Sequence, residues 1–455
     1  MRLVNQGPVS ENPSLEDLLR RDGVVVEIVP EKKGLLFLKH VEYRLISKCF
    51  KVAVHRRYSD FDVFHSLLLQ RFIYRMVPPL PPKRIFKGVL NSMSEREFIE
   101  VRCRGLQRFM TLVMRHPVIS EDELLIIFMT ASSADVQIKL REAFKRTGDE
   151  YMMYQMSSQC RVHFPDDIHA QTASSREVVE NLLASFHRLR NMVERMAQRS
   201  RENSTDLLMF GKDLSSLGSE TSHPPPSTPS GVETPSSVRK TQRPSLGEEF
   251  NLLAEKAAKQ GSREANEVVE KLNVFLEMLQ SYKDLCVRHE SGVFLEHQSA
   301  LQKHNMNSVM CTRDQRQTDQ LESRIAQQEN AIVTMEMRSY FSLHCLHQET
   351  QYVFMYLPHM LQVLGDFVHS QIQGHKEMHE VWSELHPKLT KLYEGTNKTP
   401  MCPLNPLQTP NTQSLLHTST PQSLLLQTSS PRQRRTTAIF SQFCPSEKPD
   451  EKMVN

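Results

Sequence analysis

The sequence predicts two unlike parts in succession. An α+β domain, a three-stranded antiparallel sheet with helices, precedes an all-α region of three long coiled-coil helices. Three observations carry this. Runs rich in β-branched residues crowd the stretch before Tyr58, while heptad-spaced apolar residues fill 171–395 with no proline from Ser245 to Leu357. Aromatic residues make up only 7% of the chain, with Trp382 the sole tryptophan, which suits long helices better than several compact β domains.

Taken in order, residues 1–20 are polar and are expected to be flexible. Val24–Val29 reads as a strand stopped by Pro30. A second strand opens at Gly34 and runs to Leu45, and a third covers Lys51–Arg57, with Val52, Val54 and Arg56 alternating against Ala53, His55 and Arg57. Ser59-Asp60 is a candidate N-cap for a helix through Phe61, Phe64, Leu67, Leu68 and Phe72, which the following prolines end. Ser94 and Glu97 have capping-box spacing and open a second helix, with apolar positions Phe98, Val101, Gly105, Phe109 and Leu112. Pro117 closes it, and Leu124–Met129 forms a short last helix. The domain spans 21–131, with a connector over 132–170.

Charge separates the two parts. Residues 34–130 hold 16 Lys/Arg against 9 Asp/Glu, a local +7 in a chain of net +3, so the remainder sums to −4. The positive field belongs to the first domain. Within it, Arg56-Arg57-Tyr58 places two cations beside an aromatic, and Val77-Pro-Pro-Leu-Pro-Pro-Lys-Arg84 presents two more on a stiff loop. That chemistry suits a compact polyanion with phosphates and an apolar ring face, such as a phosphorylated sugar or inositol.

Three separated pieces match the PX (phox-homology) family in order: Arg56-Arg-Tyr-Ser-Asp-Phe61, Pro78-Pro-Leu-Pro-Pro-Lys83 and Arg102-Cys-Arg-Gly-Leu106. The first domain therefore resembles a phosphoinositide-binding PX domain. The resemblance implies that Arg57 holds the 3-phosphate of phosphatidylinositol 3-phosphate and that Tyr58 stacks on the inositol ring. Lys83 would hold the 1-phosphate, and Arg102 would contact ring hydroxyls. Arg56 and Arg104 read as surface charge turned away from the site. Ile85, Phe86, Val89 and Leu90, flanked by Lys83, Arg84 and Lys87, have the character of a bilayer-inserting tip. The proline run also has the form of a polyproline ligand, though a rigid rim for the lipid pocket explains it more economically.

In the connector, Val136, Ile138, Leu140 and Phe144 lie among Lys139, Arg141, Lys145 and Arg146. This weakly amphipathic basic helix reads equally as a packed linker and as a membrane wedge.

The helical region has one seam at Val179, Leu182, Phe186, Leu189, Val193 and Met196, continuing through Leu207, Phe210, Leu214 and Leu217. A second lies at Val268, Leu272, Phe275, Leu279 and Tyr282, and a third helix runs from Leu321 past Tyr356, with Pro358 and Pro387 placed to kink it. Helices of about 50, 70 and 70 residues at 1.5 Å per residue are expected, interrupted by a Pro/Ser-rich break near 219–244. One chain cannot bury all these stripes, so dimerisation is expected. Together with the upstream match, the region resembles the BAR domain of the PX-BAR sorting nexins. The resemblance implies a crescent-shaped homodimer, or a heterodimer with related nexins, whose basic face meets anionic membranes. Arg188, Arg190, Arg195, Arg199, Arg201, Lys283 and Arg288 are the candidates for that face.

Residues 396–455 are rich in Thr, Ser, Pro and Gln and are expected to be a disordered tail. The eight cysteines show no metal or disulfide spacing, and there is no apolar leader and no long apolar run. The chain reads as soluble, cytoplasmic and in peripheral contact with membranes. No phosphate loop, metal set or nucleophile–base constellation is present, so neither an enzyme, a cofactor nor a nucleic-acid partner is expected. The resemblance implies the cytosolic face of early endosomes, curvature sensing or induction, and endosome-to-Golgi retrograde transport. The competing expectation is a coiled-coil scaffold that uses its PX domain only as an address. Cargo or coat partners are not legible.

Overall fold

The computed structural model describes residues 23–30, 41–83, 94–153, 167–220, 246–294 and 318–396, with Glu16, Leu19 and 298–302 besides. The first residues of the chain, the loop tip carrying Ile85, Phe86, Val89 and Leu90, nearly all of the Pro/Ser-rich break and 397–455 lie outside them.

Three strands, β1 Val25–Ile28, β2 Glu42–Ser47 and β3 Val52–Arg57, pair antiparallel in the order β1-β2-β3. The register sets Tyr43 opposite Arg56 and Glu42 opposite Arg57. Chain direction then reverses into α1, Tyr58–Arg71. The N-cap is Arg57 rather than the Ser59-Asp60 pair; Asp60 instead reaches back from the first turn and accepts the Arg57 amide at 2.9 Å. Helix α2, Glu95–Arg115, opens on the expected capping box, with Ser94 accepting from the Glu97 amide and Glu97 from the Ser94 amide. Helices α3, Glu123–Thr130, and α4, Val136–Thr147, complete the domain.

The core of this part is built on aromatic contacts. Phe64 stacks on Phe128 with ring centroids 4.2 Å apart, and Phe61 meets Phe128 edge-on at 5.1 Å. Helix α4 buries Val136, Leu140 and Ala143 in the same core. Its apolar face is occupied, so the packed-linker reading holds and the membrane-wedge reading does not. Only Ile138 of its four apolar positions points to solvent, 59% exposed.

Arg56 corrects the sequence expectation. It is not surface charge: it is 1% exposed and shares the inward face of β3 with Val52 and Val54. Its Nε and Nη2 donate to the Phe128 carbonyl at 2.9 and 2.7 Å, Nη2 to the Ala131 carbonyl at 2.7 Å, and Nη1 to the His55 carbonyl at 2.8 Å. The guanidinium caps the C-terminal end of α3, where helix carbonyls lack partners. Burial lowers its pKa to about 10, which still leaves it charged at neutral pH.

The second part is a set of three long antiparallel helical stretches. Helix α5, Ile168–Glu220, runs unbroken through both halves of the first predicted seam. The next stretch comprises α6, Leu246–Arg263, a π-helical segment at Glu264–Val269, α7, Glu270–Arg288, and a second π segment at His289–Phe294. Helix α8, Thr318–Thr396, continues through both Pro358 and Pro387. Contacts fix the directions. Phe186 meets Phe275 at 5.0 Å and Phe210 meets Phe250 at 4.8 Å, so α5 and the second stretch are antiparallel. Lys388 reaches Glu249 at 2.6 Å, and Tyr282 and Thr350 share a hydrogen bond of 2.7 Å, so α8 is antiparallel to the second stretch.

The two parts are joined by more than a linker. Met76 and Leu112 of the first part lie in the apolar core of the helices. Arg108 donates to Glu277 at 2.6 Å and to Glu270 at 2.8 Å. Arg75 pairs with Glu150 at 2.7 Å and Glu349 at 3.4 Å, and Glu349 also meets His116 at 3.1 Å. Arg104 agrees with the sequence expectation of surface charge: half exposed, it lies 3.8 Å from Glu270, turned toward the helices.

Candidate functional site

The rim where β3 becomes α1 meets the proline loop and the first turns of α2. Each element has a local reason to be there. The run Pro78–Pro82 is stiff and cannot continue α1. It can lie close on α2 because Gly105 has no side chain: a Cβ there would sit 2.7 Å from Pro81 Cβ. The Tyr58 hydroxyl then donates to the Pro81 carbonyl at 2.5 Å, pinning the loop to the start of α1.

Three of the four predicted residues converge. The Arg102 guanidinium carbon lies 5.3 Å from the Tyr58 ring centroid, and Arg102 Nη1 donates to the Lys83 carbonyl at 3.4 Å. Lys83 reaches from the loop to Asp62 on α1, Nζ to Oδ2 at 2.8 Å. Arg57 adjoins Tyr58, with its side chain about half exposed and Nε 3.6 Å from Asp60 Oδ1. Tyr58, Lys83 and Arg102 therefore gather at one rim, the candidate mouth, with Arg57 next to Tyr58 in the chain.

The sequence reading missed the residues that hold Arg102 still. Its guanidinium sits among three rings, 5.0 Å from the Phe98 centroid and 5.8 Å from that of Tyr43, and Nε donates to the Tyr43 hydroxyl at 2.7 Å. Cation–π contact and a fixed hydrogen bond together limit its rotamers. Phe98 was findable, one turn before Arg102; Tyr43 was not, since it arrives from β2. Asp62 was also missed, though it follows Tyr58 by one helical turn. Burial raises the Tyr58 and Tyr43 hydroxyl pKa values; the Asp62 charge adds to the first, while Arg102 opposes the second. Both stay protonated at neutral pH, Tyr58 donating to Pro81 and Tyr43 accepting from Arg102.

On α5, Arg188, Arg195 and Arg199 are exposed at spacings of seven and four, which puts them on one face. Arg288 is not part of a basic face. It donates to the Ile73 and Arg75 carbonyls at 3.3 and 2.7 Å, and burial lowers its pKa. No helix among the described residues is long and apolar enough to cross a membrane.

The PX domain family matches residues 45–132. Sorting nexin-8 of Bos taurus is 50% identical over 412 residues, covering 89% of this chain and 88% of the relative. The chain belongs to the sorting nexin family. Sorting nexin-8 of Homo sapiens is likewise 50% identical, over 89% of this chain and 87% of the relative. Sorting nexin MVP1 of Kluyveromyces lactis is 27% identical over 73% of this chain and 66% of the relative. Among solved structures, the cryo-EM structure of the SNX-BAR Mvp1 tetramer superposes with a TM-score of 0.57 at 21% identity, covering 80% of this chain and 99% of that chain. This sorting nexin thus has the PX-plus-BAR architecture, a three-stranded sheet with helices followed by long antiparallel helices.

Proposed function

We propose that this sorting nexin binds phosphatidylinositol 3-phosphate on membranes through Arg57, Tyr58, Lys83 and Arg102. The observation that carries the reading is the candidate mouth, where the Arg102 guanidinium held among three rings lies beside Tyr58 and the Lys83 backbone, with Arg57 adjoining Tyr58. Arg57 would hold the 3-phosphate as a fork, Lys83 the 1-phosphate as a point charge, Tyr58 the ring face and Arg102 the ring hydroxyls. This headgroup gives the protein an address on the cytosolic face of early endosomes. The family membership supports a role in membrane trafficking, here endosomal sorting and endosome-to-Golgi retrograde transport.

The helices add a second term. Leu361, Val368 and Ile372 lie on one face of α8 at seven- and four-residue spacing, 60, 55 and 63% exposed. An apolar stripe of this kind supports a homodimer, and the basic face of α5 supports contact with anionic, curved membranes. Each cation near such a surface contributes about 1 kcal/mol. Two headgroup sites in one dimer raise the effective concentration of the second.

Flotation of the full chain with vesicles containing phosphatidylinositol 3-phosphate tests the site. Wild-type protein is expected to float and Arg57→Ala to remain at the bottom with an unchanged melting temperature. Equal flotation of the two would remove Arg57 from the site.

A further inference from the structure

The mouth contains acids as well as cations, and the two acids differ in kind. Asp60 has a side chain 2% exposed and belongs to the fold, since it accepts the Arg57 amide at 2.9 Å and the Gln137 side-chain amide at 2.7 Å. Asp62 has a side chain 45% exposed and meets Lys83, itself 59% exposed, at 2.8 Å. An exposed pair of this kind contributes little to stability. Its position matters more. One helical turn after Tyr58, Asp62 shares the face that presents the stacking ring, and its charge raises the pKa of the Tyr58 hydroxyl.

An anion arriving at Lys83 must therefore displace this carboxylate or share the mouth with it. For a headgroup with one ring phosphate, Lys83 exchanges one anionic partner for another while Arg57 takes the ring phosphate. A second ring phosphate brings about two more negative charges to a mouth that already carries the exposed Asp62 carboxylate. Like-charge repulsion at the protein surface over several ångströms is worth about one factor of ten in binding.

We propose that Asp62 is a specificity-determining residue, which restricts the mouth to inositol lipids with a single ring phosphate by repelling a second one and by occupying Lys83 in the unliganded state. This rests on the headgroup site proposed above. It uses the logic by which a repulsive element, rather than a new attraction, separates similar ligands.

The test measures full-chain binding to vesicles of fixed composition. These carry equal mole fractions of phosphatidylinositol 3-phosphate, 3,4-bisphosphate or 3,5-bisphosphate, for wild type, Asp62→Asn and Arg57→Ala. Asp62→Asn is expected to tighten bisphosphate binding about tenfold and monophosphate binding only two- to threefold, moving the ratio toward the bisphosphates. An unchanged ratio, or weaker binding to all three lipids, would overturn the proposal, the latter showing that Asp62 merely positions Lys83. Arg57→Ala separates the two levels of the argument. If it abolishes binding while the Asp62→Asn ratio is unchanged, the site stands and the filter falls; if it leaves binding intact, the site itself falls. Asp62→Ser, which also removes the charge, is expected to repeat the Asn result, and a divergent ratio would attribute the effect to shape rather than charge.

Discussion

Arg75 and Glu349, 274 residues apart in the chain, meet 3.4 Å apart with side chains only 5% and 3% exposed. Arg75 comes from the turn after α1 and Glu349 from α8, so the pair ties the PX domain to the BAR-type helices. Burial would push Glu349 up, but His116 and Arg75 outweigh it and hold its pKa below the usual carboxylate range. Arg75→Ala leaves two carboxylates, Glu150 and Glu349, buried without this partner. The expected cost is about 3–5 kcal/mol, read as a shifted midpoint in urea denaturation, with loss of cooperativity between the two parts.

The adjacent arginines Arg56 and Arg57 should behave oppositely. Arg56→Ala removes four side-chain hydrogen bonds and strands the Phe128 and Ala131 carbonyls, at a cost of about 3 kcal/mol in stability. Arg57→Ala should leave thermal stability within about 0.5 kcal/mol of wild type, as exposed substitutions do, and lose headgroup binding. Paired melting and flotation measurements on the two variants check both halves. A matched loss of stability would show that both arginines serve the fold.

Glu277 gives a pH signature. Burial pushes its pKa up to about 7 despite the bond from Arg108, and its Oε2 has no hydrogen-bond partner among the described residues. A carboxyl raised in the folded state binds its proton more tightly there than in the unfolded chain. Its contribution is therefore greatest below the usual carboxylate pKa and declines as pH rises toward 7, by up to about 3 kcal/mol. Glu277→Gln should remove that decline. The stability difference between wild type and variant, followed by denaturation from pH 4.5 to 7.5, should favour the variant increasingly as pH rises.

The α8 stripe predicts assembly. Val368→Asp combined with Ile372→Asp places two charges on an exposed apolar face, where neither side chain supports the fold of its own chain. The double variant is expected to remain folded, melting somewhat lower for want of its partner, yet run as a monomer in light scattering where wild type runs as a dimer. An unchanged mass would move the interface elsewhere.

These contrasts show where the sequence was readable. The strand–helix order and the Ser94–Glu97 cap were legible because they rest on local chemistry. Arg56 was misread, yet the alternation of Val52, Val54 and Arg56 already put it on the inward face; what no local pattern could show was that the end of α3 supplies carbonyls to receive it. Arg288 was misread for a related reason. A basic residue on a long helix looks like a solvated charge until another part of the fold docks on it. At the candidate site, Arg57, Tyr58, Lys83 and Arg102 followed from three short motifs, whereas the cage of Tyr43 and Phe98 around Arg102 draws on separate elements and exists only in the folded chain.

Gly105 links packing to the mouth without lying in it. The proline loop crosses α2 at this residue, and an added Cβ would stand 2.7 Å from Pro81 Cβ and 3.0 Å from Pro81 Cγ. A proline ring has no rotamer by which to withdraw, so Gly105→Ala must push the loop outward. Overpacking of this kind costs about 1–3 kcal/mol, against which the better helix propensity of alanine returns about 1 kcal/mol. The larger effect falls on binding. An outward shift of Pro81 stretches its bond from the Tyr58 hydroxyl and carries Lys83, two residues on, away from Arg102. Affinity for phosphatidylinositol 3-phosphate vesicles is expected to fall about tenfold or more, as with other sub-ångström displacements of positioned charges, while stability changes by no more than about 2 kcal/mol. Binding isotherms and thermal melts on the same preparation distinguish this from simple unfolding, since a loss of binding at a temperature where the variant is fully folded can come only from the displaced loop.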